Sequence, residues 1–264
     1  MTRSTRSSIR AALLCAVLLA ACEKNAVQVL PTAETIPGGR VKFFNFGVNA
    51  PGVNFYADNT KMTAILSGTG QEATTGVAYG GTGNGGVYLA ITPGAYTLTG
   101  RIAATTDKDV VIATAAATLD DGKYYSFYMS GFYNTATKAS DGFVVEDPLS
   151  VQTQPINYSV AYVRFVHAIA NASPLTLYAR NTVALDTTAV GAAVTYKGAG
   201  TFIALPVGVY DLFARYTDST TVKVARTGVS FLGGRMYSVG ARGDITITST
   251  TATNRPFLDN TANR

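Results

Sequence analysis

The sequence predicts an all-β protein: two tandem Ig-like antiparallel β-sandwich domains behind an N-terminal export signal. Three observations predict it. The chain repeats itself over roughly 100 residues. Its apolar residues alternate with the period of strands. Turn signals recur about every 8 to 12 residues, at Asn49-Ala50-Pro51-Gly52, Pro93-Gly94, Asp121-Gly122, Gly233-Gly234 and Gly243-Asp244.

The repeat comes first because it sets the domain count. The segment VKFFNFGVNAPGVNFYADNT from Val41 aligns without gaps to VRFVHAIANASPLTLYARNT from Val163. Val77 and Tyr79 then match Val194 and Tyr196. Gly94 to Leu98 match Gly208 to Leu212, and Gly122 and Tyr125-Ser126 match Gly234 and Tyr237-Ser238. A weaker match sets Phe143-Val144-Val145-Glu146 beside Phe257-Leu258-Asp259. The first copy is longer mainly between Tyr79 and Tyr88, where it reads GGTGNGGV, so an expanded loop is expected there. Strand character follows from the alternation in Tyr96/Leu98, Tyr210/Leu212 and Ile245-Thr246-Ile247-Thr248, and from abundant Val, Ile, Thr, Tyr and Phe. The alanines from Ala113 to Ala117 sit among threonines behind Val110-Val111-Ile112, which favours strand over helix. Many short strands in about 100 residues imply a sandwich. The Gly122-x-x-Tyr125 and Gly234-x-x-Tyr237 pairs fit a tyrosine corner; a transthyretin-like strand order is the alternative to the Ig-like one. The expected organisation is a signal peptide at 1–21, a tether at 22–38, sandwiches at 39–149 and 159–264, and a linker at 150–158.

The N-terminus carries Arg3, Arg6 and Arg10, then an apolar run from Ala11 to Ala21. A basic end followed by a short apolar stretch is the layout of an export signal, and the run is well short of the roughly 20 residues a spanning helix needs. It ends Leu19-Ala20-Ala21-Cys22, which resembles the lipobox of bacterial lipoproteins: small residues admit the peptidase, and the Cys22 thiol receives the lipid. This predicts a membrane partner reached through the N-terminal lipid at Cys22. Glu23 is not the aspartate that retains such proteins in the inner membrane, so the cell envelope at the outer membrane is expected. Removing the three arginines changes 21 basic and 16 acidic residues to 18 against 16, a net charge of +2 rather than +5. No basic tract points to nucleic acid. With Cys15 in the signal and Cys22 lipidated, the mature chain has no disulfide, so each domain must rest on core burial.

The second copy carries VRFVHAIANASPLTLYARN at 163–181, Val194-x-Tyr196 and Leu205-Pro206-Val207-Gly208-Val209-Tyr210. These residues resemble the tandem repeats catalogued as domain of unknown function 4397, found in exported bacterial proteins. The resemblance covers nearly all of 40–260, with Asn45 standing in the first copy where His167 stands in the second. It implies no activity, and no functional residue transfers.

The residues offer little for catalysis. His167 is the one histidine, so any Ser-His-Asp or Cys-His arrangement would need it. Its place in an alternating strand, matched to Asn45, reads as structural. One histidine with no free cysteine cannot furnish a usual zinc site, and no cofactor or metal is expected. Gly81-x-Gly83-x-x-Gly86 matches a dinucleotide fingerprint only formally, lacking the strand–turn–helix around it. The acidic pairs Asp107/Asp109, Asp120-Asp121 and Glu146-Asp147 lie at turn signals, where Asp serves its own backbone. Tyrosine is enriched, with 15 Tyr and no Trp. Tyr56, Tyr79, Tyr96 and Tyr125 recur in both copies and read as core or corner residues. Tyr88, Tyr128, Tyr133 and Tyr216 fall outside the repeat pattern and are the candidate ligand-binding residues. The expected role is non-catalytic binding or scaffolding of an envelope protein or glycan; the alternative is a glycan-binding accessory of polysaccharide uptake.

Overall fold

The computed structural model describes residues 37–63, 75–149 and 156–263. Cys22, the signal peptide at 1–21, the tether up to residue 36 and most of the linker lie outside the described residues. Residues Pro37–Arg264 form one compact unit. No helix among the described residues is long and apolar enough to cross a membrane.

The first copy folds as β1 (Gly39–Asn45), β2 (Val53–Ala57), β3 (Thr60–Lys61), β4 (Leu89–Ile91), β5 (Gly94–Ile102), β6 (Val111–Leu119), β7 (Tyr124–Asn134) and β8 (Ala139–Glu146). The second folds as β9 (Val160–His167), β10 (Leu175–Asn181), β11 (Thr187–Ala189), β12 (Gly198–Ala199), β13 (Ile203–Pro206), β14 (Gly208–Tyr216), β15 (Val222–Phe231), β16 (Met236–Arg242) and β17 (Phe257–Ala262). The alanine run is strand β6, as its neighbours predict. The chain is thus all β, in two sandwiches.

Strand order separates the two alternatives. The first copy has sheets β4-β1-β7-β8 and β3-β2-β5-β6; the second has β12-β9-β16-β17, with β13 also on β9, and β11-β10-β14-β15. An Ig constant-type sandwich keeps its first two strands in one sheet. Here they lie in opposite sheets, which is the transthyretin-like order. Pairing is antiparallel except that β1 joins β7 and β9 joins β16 in parallel. The corner tyrosines work alike in both copies: the Tyr125 hydroxyl accepts from the Asp120 amide and the Tyr237 hydroxyl from the Leu232 amide, each at 3.2 Å. Tyr96 and Tyr210 likewise donate to the Thr92 and Pro206 carbonyls, each at 2.8 Å.

Two expectations are corrected. Ile245-Thr246 is a turn and Ile247-Thr248 is irregular rather than strand, because the Asp244 carboxylate accepts from the Thr246 amide at 2.9 Å and its hydroxyl at 2.6 Å. Such local side-chain bonding competes with a ladder. The C-terminal match also slips by two residues: Glu146 pairs with Tyr125 and Ala262 with Tyr237, so Phe143 corresponds to Asp259 rather than Phe257. A slip of two keeps every side chain on its face, so alternation could not register it.

Each sandwich has its own core. Val41, Phe43, Phe55 and Phe127 centre the first, and Val163, Phe165, Leu177 and Val239 the second. A third buried cluster joins the outer faces of the β1 and β9 sheets, through Phe44, Phe46, Tyr128, Phe143, Val166 and Ala168. Strands β1 and β9 are therefore buried on both faces, odd residues inward to their own core and even residues to the other sandwich. The result is four stacked sheets.

Candidate functional site

The contact between the sandwiches is built from matched positions. Lys42 and Arg164 occupy equivalent places in β1 and β9. Lys42 donates to the Ala262 carbonyl at 3.0 Å and to Asn263 Oδ1 at 3.2 Å, both at the end of β17. Arg164 donates to the Glu146 carbonyl at 2.9 Å and pairs with the Asp147 carboxylate, both at the end of β8. Arg164 and Asp147 are almost wholly buried. Asp147 also accepts from Ser126 Oγ at 2.7 Å and from the Tyr88 hydroxyl at 2.6 Å. Buried charge survives only when so compensated. Burial, with Arg164 nearby, pushes the Lys42 ammonium down from 10.5 to about 8. The sequence carried one signal of this cluster, a cation at the same inward-flanked position of both copies, in Val41-Lys42-Phe43 and Val163-Arg164-Phe165.

The four candidate tyrosines separate. Tyr88 and Tyr128 come together at this contact. Tyr128 is buried, stacked between Phe44 at 4.4 Å and Phe143 at 5.1 Å between ring centroids, and burial pushes its hydroxyl up to about 12. Tyr88 is half-buried, bound to Asp147, edge-on to Tyr124 and 4.2 Å beneath the Lys42 ammonium. Tyr133 packs against the first core and Tyr216 against the second. All four contribute to packing. None forms part of an open aromatic platform. The outer sheet of the second sandwich does hold a stacked pair, Tyr178 and Phe213, 5.4 Å apart, but the Arg215 guanidinium lies 4.5 Å over Phe213. In the first copy Thr99 replaces Phe213, and Arg101 covers Tyr56 at 4.1 Å.

His167 and Asn45 do the same work. His167 Nδ1 accepts from the Ile169 amide at 3.2 Å and Nε2 faces the Ser173 carbonyl at 3.3 Å. Asn45 Oδ1 accepts from the Gly47 amide at 3.2 Å, and Nδ2 donates to the Pro51 carbonyl at 3.2 Å. Those two partners match residue for residue, and Asn45 Nδ2 also donates to the Val77 carbonyl at 2.8 Å. With Nδ1 accepting and Nε2 donating, the imidazole is neutral. Burial holds its pKa down, from 6.5 to about 4.

The expanded glycine loop acquires a role the sequence did not show. It makes a 3-10 turn at Gly83–Gly86 in which Asn84, Gly85 and Gly86 all have positive φ. The loop lies beside β17 of the other copy, leaving a groove of about 450 Å³ lined by Phe46, Gly85, Gly86, Arg226, Phe257 and Asn260. Arg226, Arg242 and Arg255 surround the Phe257 ring, with centroid distances of 5.4, 5.1 and 5.5 Å. Arg242 binds Asp259 at 2.5 Å, and burial pushes that carboxyl up against the pull of Arg242. Arg242 and Arg226 thus both act on one carboxylate, Asp259. Asn260 Oδ1 is buried here without a hydrogen-bond partner. The groove on the opposite side of the contact, between β8 and the β12 region, has about 380 Å³ and no such loop.

Of the acidic pairs, Asp120 and Glu146 meet only across the exposed Lys123 ammonium, at 3.2 and 3.3 Å. Asp107 pairs with Lys138, Asp109 accepts from Tyr56 at 3.2 Å, and Asp147 is buried at the contact. No group of three potential metal ligands occurs among the described residues.

No family model matches the chain, and no curated protein matches it. Among solved structures, the chain is similar to one from Bacteroides ovatus described as a "putative cell adhesion protein". The identity is 9%, over 85% of this chain and 96% of that one, with a TM-score of 0.23. At that score the likeness carries neither a detailed fold nor a role across to this chain.

Proposed function

We propose that the chain is a non-catalytic, membrane-anchored protein of the cell envelope with a binding or scaffolding role, held by lipid on Cys22. One observation carries the reading. The Gly80–Gly86 loop, largely missing from the second copy, packs against β17 of that copy and turns a structural contact into a groove. Its size falls within the range of small-ligand sites. The repeat pattern supports reading the chain as tandem copies of domain of unknown function 4397. The test is to offer the purified chain model esters, glycosides and peptides beside soluble envelope glycans. Binding without turnover is expected; a reproducible hydrolytic activity that disappears on unfolding overturns the reading. Separately, Cys22→Ala should move the protein from the membrane fraction to the soluble fraction.

A glycan-binding reading is favoured by the groove's charge and rings. The Arg226 guanidinium, lining the groove beside Phe46 and Phe257, suits an acidic sugar that offers a carboxylate and an apolar face. Titration with an oligogalacturonate should saturate, a neutral oligosaccharide of equal length should not bind, and Arg226→Gln should abolish the signal. Equal responses to both sugars would remove this reading.

A further inference from the structure

We infer that one end of the second sandwich is a lipid-contacting surface, which seats the protein against the membrane that anchors it. The inference rests on the proposed lipidation of Cys22 for its geometry, and its test is arranged to fail separately.

Seven large apolar side chains are exposed at that end: Ile156, Tyr158, Val183, Leu185, Val207, Val209 and Leu232. They come from four chain segments held together by backbone bonds. The Val207 amide donates to Ser159 at 3.1 Å, Thr182 to Val209 at 3.0 Å, and Gly234 to Val160 at 2.8 Å. Val183 is 89% exposed and Tyr158 71%, far beyond what incidental surface apolarity requires. The turn bearing Val183 and Leu185 is built outward. Asn181 Oδ1 accepts from the Val183 and Ala184 amides at 2.8 and 2.9 Å, and Leu185 is held at a φ of 62°, a left-handed conformation costly for leucine.

The other copy supplies the contrast. Its corresponding turn is short, Asp58-Asn59. Asp120 stands where Leu232 does, Pro93 where Val207 does, and Ala95 where Val209 does. The same scaffold therefore does without apolar loops, and only the second copy displays them.

The direction of the chain says what covers this end. Lys42, the fourth residue of β1, reaches Ala262 at the end of β17, which pairs with Tyr237 and so lies beside Val163, the fourth residue of β9. Arg164, the fifth residue of β9, reaches Glu146 at the end of β8, which pairs with Tyr125 beside Val41, the third residue of β1. Phe46, just past β1, lies against Gly240 and Arg242 farther along β16. Strands β1 and β9 therefore run in the same sense, with their starts at one end of the molecule. The apolar loops surround the start of β9. The chain arriving from Cys22 enters at the start of β1, where Gly38 bonds to Asp121 at 2.6 Å. The sixteen residues from Cys22 to Pro37 reach at most about 55 Å, so a lipid on Cys22 keeps this end within reach of the bilayer. The neighbouring loops of the first copy carry Asp58, Asp120 and Asp121, so attraction to anionic headgroups is not the driving force, and contact through apolar insertion should be insensitive to salt.

The test uses the chain from Glu23 onward, which contains no cysteine. An N-terminal histidine tag on nickel-chelating lipid in phosphatidylcholine vesicles replaces the natural anchor. A single cysteine at Val183 (V183C) or at exposed Ala136 (A136C), in the turn at the opposite end, carries an environment-sensitive fluorophore. The expected result is a blue-shifted, at least twofold brighter signal at 183 on vesicle binding, quenched by lipids spin-labelled in the acyl region and unchanged in 0.5 M salt, with no response at 136. In the tagged chain, adding L185D and L232D should remove the response, since each inserted side chain is worth about tenfold in partitioning. Silence at 183, or equal responses at both positions, overturns the inference. A response at 183 that appears without vesicles and grows with protein concentration also overturns it, assigning the face to a second copy. If Cys22→Ala leaves the protein in the membrane fraction of cells, the anchor reading fails while the vesicle result stands by itself.

Discussion

Replacing His167 with Asn, the residue its counterpart position already carries, tests both the duplication and the shielding of this side chain. In the folded protein the imidazole is buried and neutral, accepting from Ile169 and facing Ser173. Burial lowers its pKa from 6.5 to about 4. Between those values the unfolded chain holds a proton that the folded chain lacks, so stability fully present above pH 6.5 is lost as pH falls toward 4. The linkage integral gives a loss of about 2 kcal/mol at pH 5 and about 3 kcal/mol at pH 4. Asparagine does not titrate, yet Asn45 makes the equivalent two bonds to Gly47 and Pro51. Urea unfolding followed by near-ultraviolet circular dichroism at pH 8, 5 and 4 would be compared for both proteins, so that carboxylate titrations cancel in the difference. The two should agree within about 1 kcal/mol at pH 8. The variant should lead by about 2 kcal/mol at pH 5 and about 3 kcal/mol at pH 4. Parallel pH curves would show that the imidazole is not shielded. A deficit above about 3 kcal/mol at pH 8 would show that the two copies do not use this position alike.

Three further outcomes follow from the contact between the sandwiches. Lys42, lowered from 10.5 to about 8, is a proton short in the folded state between those values, so stability rises as pH climbs through that window. Relative to the parent, Lys42→Met should lose about 2.5 kcal/mol of advantage between pH 7 and pH 10, read from chemical denaturation; a constant difference would contradict the burial of this ammonium. Asp147→Ala strands the Arg164 guanidinium and should cost about 3–5 kcal/mol, while Asp147→Leu with Arg164→Met should recover most of that, as thermal unfolding would show. Gly240→Ala places a Cβ 2.8 Å from the Phe46 ring and should cost about 1–3 kcal/mol by the same measurement.

The repeat and the alternation made the two sandwiches legible, because the corner tyrosines and core residues such as Val41/Val163 and Phe43/Phe165 recur in register. Strand order was not legible: alternation says which face a residue takes, not which strand lies beside it. The same blindness hid the two-residue slip that makes Phe143 the counterpart of Asp259. Ile245 to Thr248 misled because its alternation was genuine while Asp244 closed a turn around it. Among the candidate residues, Tyr88 and Tyr128 stood outside the repeat for a reason composition cannot give. They serve the contact between the two copies, which the pattern within either copy does not reveal. The glycine loop read as an insertion because its lining partner, β17, lies some 170 residues away in sequence.

The contact itself has the form of an isologous interface, with Lys42 reaching the end of the other copy's last strand as Arg164 does in return. Its departures from symmetry depend on one another. Arg164 spends its planar donors on three partners at once: the Glu146 carbonyl, Asp147, and Ser238 Oγ at 2.9 Å. Ser238, thereby already accepting, also receives Asn263 Nδ2 at 2.7 Å, a bond a carboxylate could not donate. Asn263 then offers Lys42 only a neutral oxygen. With no carboxylate of its own, the buried ammonium is held by two neutral acceptors and the Tyr88 ring, and its pKa falls. Arginine at one matched position and asparagine at another are thus one choice. The single carboxylate of the cluster sits where the guanidinium needs it, and the lysine half makes do with dipoles.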